Sequence, residues 1–372
     1  MNRWSSIQAL RGIAVLAVVV FHALSIERKY SGGDLLLPDF LRLGQSGVDL
    51  FFVISGFVMV TVTQGRFARR GETMRFLWGR LSRIYPTYWF YCFLTLAVFV
   101  LRPDWVNSSQ GHQARFLDSF FLLPGNSLPL VMVAWSLTYE LWFYLVFSVL
   151  LCFDGRFLLP SLLLWAAIIV AANQFLALAE LPVGARLVLH PYALEFIIGA
   201  LVALLHSRAP GPGMSARHAV LMVVPLLLVG LPLVHAFALL KEEGLLRMSL
   251  VGALYGLLVL AVATLEKRER FRPPRFLQFL GDVSYTVYLS HLLVLSAIGR
   301  LWLIASPAPH SLWDNLFACL AMLAAVVAYG WLGYRLLEQP LLQLSHRLRT
   351  RWFDTGRRRT PRPPVNTDAA QR

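Results

Sequence analysis

Ten apolar runs, each long enough to cross a bilayer, are spread along this 372-residue chain. They lie near 8–25, 45–63, 84–101, 134–153, 157–177, 190–206, 219–239, 246–265, 280–300 and 314–337. A helical span needs about 20 predominantly apolar residues, and runs of this length exceed ordinary strands. The charged fraction agrees: it is 15%, where soluble domains average about 25%. These features predict an all-α integral membrane protein of about ten transmembrane helices. The stretch 116–123 is apolar but too short to cross. Residues 1–25 have the basic start and apolar run of a signal peptide. That run continues to Leu24 without a small-residue cleavage site, and more spans follow. An uncleaved first helix is expected.

The net charge of +14 does not point to nucleic acid, because the basic residues cluster between apolar runs and in the tail. With the N-terminus inside, the inner segments are 1–11, 64–83, 154–156, 207–218, 266–279 and the tail from 335. They carry 25 of the 34 lysines and arginines. The positive-inside rule then predicts that both termini are cytoplasmic. Residues 1–344 form the expected membrane domain. Residues 345–372, rich in Arg and Pro, are expected to stay disordered against anionic lipid, so membrane lipid is one partner. Cys92, Cys152 and Cys319 sit in apolar stretches and read as small core hydrophobes. No His/Cys/Asp/Glu cluster has ligand spacing, so no metal is implied. There is no internal repeat and no large soluble domain, which leaves any chemistry among the helices.

The first span carries Arg11 and His22. Eleven positions are about three turns, so the two share a face, with His22 roughly 16 Å deeper and near the midplane. An ionisable residue at that depth is expensive and marks function by default. Arg80-Leu-Ser-Arg83-Ile-Tyr-Pro86 leads into the third span. Its two arginines share a helix face and either grip phosphate bidentately or simply orient the segment. With Arg11 they form three arginines at one inner mouth, which suits a polyanionic donor.

Asp49 opens the second span near its outer end, where Ser55 and Gly56 read as a close helix contact. Glu140 lies about 9 Å below the outer surface in Trp135-Ser-Leu-Thr-Tyr139-Glu140. It either pairs with His22, fixing the tautomer of a base, or tethers two helices. Its aromatic neighbours suit an interfacial belt or a sugar-stacking platform equally. In the ninth span Ser284, Tyr288 and His291 follow the i, i+4, i+7 rule. His291 is a second midplane histidine, either a rival base or a hydrogen-bonded structural one. Pro340 ends the tenth span, and Glu338 beside it offsets the inner arginines.

These motifs together resemble the acyltransferase 3 family of bacterial inner-membrane acyltransferases, in order and topology, over about residues 5 to 345. Arg11 and His22 match its Arg-x10-His signature and Arg80 to Pro86 its Arg-x-x-Arg segment. Gly47 to Phe57, Trp135 to Glu140 and Ser284 to His291 match its other helix motifs. The resemblance implies transfer of an acyl group, usually acetyl, from cytoplasmic acyl-coenzyme A to a hydroxyl. The acceptor it implies is a surface polysaccharide or its lipid-linked oligosaccharide precursor, and the second- and fourth-helix wording is similar to the exopolysaccharide branch. Carried over by position, His22 is the catalytic histidine, and Arg11, Arg80 and Arg83 help hold the donor.

The expectation is therefore a bacterial inner-membrane O-acyltransferase. His22 acts as base or acyl relay with Glu140 behind it, and Asp49, Trp135, Tyr139, Tyr288 and His291 stand at the acceptor. The alternative is a polytopic glycan transporter or flippase, because midplane charges suit a transport path as well. A polysaccharide polymerase or ligase should show a large outer loop, and the longest here, about 102 to 133, is modest.

Overall fold

The computed structural model describes residues 4–31, 35–106, 115–208, 223, 228–230, 232–233, 244–267, 272–306 and 311–354. They form α1 (Ser5–Tyr30), α2 (Gly47–Thr63), α3 (Glu72–Leu101), α4 (Phe116–Phe121), α5 (Trp135–Leu150) and α6 (Leu158–Phe175). Then come α7 (Val183–Leu189), α8 (Tyr192–Arg208), α9 (Leu245–Lys267), α10 (Arg275–Ala305), α11 (Leu312–Gly333) and α12 (Gln339–Arg349). No strand occurs among the described residues, and nine helical runs are long and apolar enough to cross a bilayer. The expected span 219–239 lies largely outside the described residues. So does the tail beyond 354, whereas its first ten residues, 345–354, are helical rather than disordered.

Apolar side chains gain little from leaving lipid for one another, so close packing and polar contacts hold such a bundle together. α1 and α10 run parallel at its centre. A methyl group added at Gly12 would lie 2.5 Å from the Leu277 carbonyl oxygen, and one at Gly281 would run into the Gln8 carbonyl. α2 and α8 cross by the same device, with Gly56 against the Phe196 carbonyl and Gly199 against that of Val53. Gly56 thus makes the close contact expected of it. Where α1 begins, which we term the proximal end, Glu266 of α9 accepts from Ser5 N (2.7 Å) and Ser6 N (2.9 Å). A carboxylate there satisfies amide groups that have no partner within the helix and faces the positive end of its dipole.

Three helices start at mid-depth. Gly44, just before α2, lies on the Ala17 carbonyl and Phe21, halfway along α1. His206 of α8 packs on Trp4 at the proximal end, with ring centroids 5.4 Å apart. Tyr192 begins that helix 14 residues away, only about 21 Å up the bundle. Ser136 of α5 is 2.7 Å from the Tyr288 hydroxyl, which lies one turn beyond Ser284, the partner of Arg11. The distal half is consequently filled by turns. Tyr85 and Trp89 of α3 donate to the carbonyls of Phe121 and Phe120, and the Leu130 amide donates to Ser119 Oγ (2.8 Å). These bonds fold residues 116–134 back into the bundle.

Pro340 does not end the tenth span. A π-helical turn, Tyr334–Glu338, precedes it, and α12 continues beyond. Proline lacks an N–H and crowds the carbonyl four residues back, and the wider turn accommodates both defects. Cys92 and Cys319 are buried as expected, but Cys152 is exposed at the end of α5.

Candidate active site

A cluster of opposed charges occupies the proximal half of the bundle. Arg11 donates to Ser284 Oγ (3.1 Å) and lies over the Phe51 ring. It feels the charges of Arg83, Glu140 and Glu338. Arg80 stacks on Phe76 and Tyr144, its guanidinium carbon 5.6 and 5.9 Å from their ring centroids. Tyr285 donates to the Ile84 carbonyl (2.8 Å), fixing α3 one residue beyond Arg83. Glu338, 2% exposed, accepts from Thr286 (2.5 Å) and offsets Arg83 and Arg11, as its position suggested. The π-turn is what carries it into the core. The three arginines therefore converge, within the electrostatic reach of buried Glu338 and half-buried Glu140.

Glu140 departs from expectation. It accepts from Ser55 Oγ (2.9 Å) and from the Tyr144 hydroxyl, and no hydrogen bond joins it to His22. The cause is the mid-depth start of α5. Five residues into that helix, Glu140 has already descended to the level of Arg11 instead of lying about 9 Å below the outer surface, near the depth of His22. Ser55 is correspondingly its partner as well as part of a helix contact.

His22 has His291 as its neighbour, with ring centroids 5.1 Å apart. His291 is 0% exposed, and its Nδ1 lies 2.7 Å from the Tyr288 carbonyl. Only a protonated nitrogen donates to a carbonyl, so Nδ1 carries a proton and is committed to its own helix. His22 itself is partly exposed. Tyr288 donates to the Val133 carbonyl (3.0 Å) and pairs with Ser136, clamping the start of α5.

Asp49 is another departure. It is not near the outer surface but at mid-depth, 0% exposed, where Arg247 of α9 donates to both its oxygens at 2.9 and 2.7 Å. Arg247 and the equally buried Glu195, which lies beside the pair, were not singled out in sequence. Arg247 sits amid a run that reads as an ordinary span, and only its basic charge inside an apolar stretch signals it.

Two cavities flank these groups. The proximal one, about 450 Å³, is lined by Arg66, Arg75, Arg80, Arg83 and Arg349 and by one acid, Glu72. The distal one, about 590 Å³, is lined by Gln45, Asn126, Trp135, Tyr139, Arg186 and His190, among others. Tyr139 lies 4.8 Å from His190, which stacks on Tyr192 at 4.6 Å. Trp135 and Tyr139 both line the distal cavity, while His22, Asp49, Tyr288 and His291 do not. His190 joins them without advance signal, because a histidine before proline at a span end has no distinguishing pattern. Among the described residues no three His, Cys, Asp or Glu side chains gather as metal ligands.

Such an arrangement defines a multi-pass membrane protein whose ionisable groups are gathered inside the bundle, between two cavities. The chain belongs to the acyltransferase 3 family: that family's acyltransferase domain matches residues 4–335. It is therefore a membrane enzyme that transfers acyl groups. Exopolysaccharide production protein ExoZ of Rhizobium meliloti (strain 1021) is 29% identical over 323 residues, 81% of this chain and 90% of that protein. Acyltransferase MdmB of Streptomyces mycarofaciens is 28% identical over 387 residues, covering 93% and 94%. Putative acetyltransferase ORF330 of Acidianus two-tailed virus is 24% identical over 310 residues, covering 79% and 84%. No solved structure matches the chain.

Proposed function

We propose that this enzyme moves an acetyl group from cytoplasmic acetyl-coenzyme A to a hydroxyl of an exopolysaccharide or its lipid-linked precursor, in a bacterial inner membrane. The observation that carries this reading is the proximal cavity, where five arginines face a single lining acid. Glu72 is itself shared by Arg66 (3.7 Å) and Arg75 (3.5 Å), so among the described residues lining the cavity arginines outnumber acids five to one, which suits a polyanionic occupant. The same basic surplus supports a cytoplasmic proximal end, and the proposal puts both termini there.

Arg80 and Arg83 hold the donor phosphates at the mouth, and Arg11 stands above them. The thioester arm rises roughly 16 Å from Arg11 toward His22. The acceptor enters the distal cavity, where Trp135, Tyr139 and His190 offer ring faces to a sugar and Asn126, Arg186 and Gln45 offer polar groups. His22 takes the hydroxyl proton while the hydroxyl oxygen attacks the thioester carbonyl. The C–S bond breaks, and the departing thiolate takes the proton back from the imidazolium. Glu140 serves this scheme as a counter-charge that positions Arg11 and Arg80, not as the orienting partner of His22. The exopolysaccharide acceptor follows the name of the Rhizobium relative.

Membranes bearing the protein, given labelled acetyl-coenzyme A and glycan, should transfer label to the glycan. Glycan moved across the membrane without label would favour a transporter. Arg83→Ala should raise the apparent KM for acetyl-coenzyme A about tenfold or more, the value of a charge-assisted phosphate contact. An unchanged donor dependence would leave Arg83 as a basic residue that merely orients its helix.

A further inference from the structure

We propose that α12, which lies beyond the residues matched to the family, is the outer wall of the donor site, and that its Arg349 grips the ribose 3′-phosphate of coenzyme A. This rests on the donor reading above. Leu342, Ser345, His346 and Arg349 all line the proximal cavity, and their spacing of i, i+3, i+4 and i+7 is one helix face. Leu344, off that face, is exposed where lipid would lie.

The face is fixed to α3 along its length. Ser345 donates to Ser82 Oγ (2.6 Å) and its carbonyl accepts from Trp78 Nε1 (3.4 Å). Trp352 packs on Trp78 with ring centroids 4.8 Å apart. Between these contacts Arg349 lies over Gly79, where an added methyl group would sit 3.8 Å from its Nη1. A bare glycine thus leaves room for a guanidinium beside Arg80.

The order of the cations along the cavity matches the order of charges in the donor. Arg80 and Arg83 are the ones nearest the interior cluster, within the electrostatic reach of Glu140 and Glu338. Arg75 lies eight residues before Arg83 on the same helix, about 12 Å nearer the proximal surface. α12 runs antiparallel to α3, from Ser345 at Ser82 outward to Arg349 at Gly79. In coenzyme A the diphosphate carries the arm, and the 3′-phosphate hangs from the ribose beyond it. An arm directed at His22 puts the diphosphate at Arg80 and Arg83 and leaves the 3′-phosphate to Arg349, with His346 adjoining.

The test compares acetyl-coenzyme A with 3′-dephospho-acetyl-coenzyme A on the full-length protein in membranes. The unaltered protein should favour the intact donor about tenfold in apparent KM. Arg349→Ala should abolish that preference, raising KM for the intact donor and leaving both kcat and the KM of the dephospho donor in place. Arg347→Ala, an exposed neighbour on the same helix, should keep the full preference. If Arg349→Ala fails to reach the membrane, Arg349→Lys should lower the preference severalfold, because it keeps the charge and loses the fork. A preference unaltered in either Arg349 variant would overturn the proposal. So would an equal loss with both donors, which would make Arg349 a ligand of lipid headgroups. Absence of transfer from either thioester by the unaltered protein would instead overturn the donor reading itself.

Discussion

His22→Ala is expected to slow acetyl transfer by about a hundredfold to ten-thousandfold, the range that a positioned general base contributes. The protein should still reach the membrane in normal amount, because among the described residues His22 makes no hydrogen bond on which the bundle depends. The nearby histidine supplies the internal comparison. His291 is sealed from solvent, and its Nδ1 is committed to the carbonyls of its own helix. A glycan hydroxyl has no route to it, whereas His22 is partly exposed. His291→Ala should therefore cost less turnover than His22→Ala. It should cost more stability, because it leaves a cavity between α1 and α10. Glycan acetylation measured beside membrane abundance separates the two. Full activity in His22→Ala, or a larger loss of turnover in His291→Ala at equal abundance, would transfer the base to α10.

Much of this architecture was legible from periodicity and charge. Length and apolarity set the spans because a bilayer demands both, and the basic inner segments ordered the cations into one cluster at one end. The depth of individual residues was not legible. Counting residues inward from a span end assumes that each helix starts at the surface. α2, α5 and α8 start at mid-depth instead, held there by tertiary contacts such as Gly44 on Ala17 and Ser136 on Tyr288. This one feature moved both carboxylates. Asp49 went from the outer rim to the middle, and Glu140 from the level of His22 to that of Arg11. The π-turn before Pro340 was hidden for a related reason. Proline announces that a hydrogen bond is lost, but neighbouring packing decides whether the helix ends or only widens.

Arg247→Ala should be the most destabilising of the substitutions considered, at about 3–5 kcal/mol, because it removes one partner of a buried ion pair and strands the other. Arg247 and Asp49 join α9 to α2 with hardly any solvent contact, and Glu195 of α8 adds a second carboxylate to the same spot. Among the described residues, the variant thus removes the cation that hydrogen-bonds Asp49 and leaves two acidic side chains among three helices. It should be read in detergent as a lost monodisperse peak or a large fall in Tm. Asp49→Asn/Arg247→Met removes both charges of the pair and should recover most of that loss, since replacing a buried pair by well-packed neutral groups is often close to neutral. The double variant also decides what Asp49 is for. A residue that only ties helices together can be replaced in this way with the acceptor KM unchanged. If the double variant folds but its acceptor KM rises sharply, Asp49 contacts the glycan after all, and the ion pair is the resting state of a substrate-binding carboxylate.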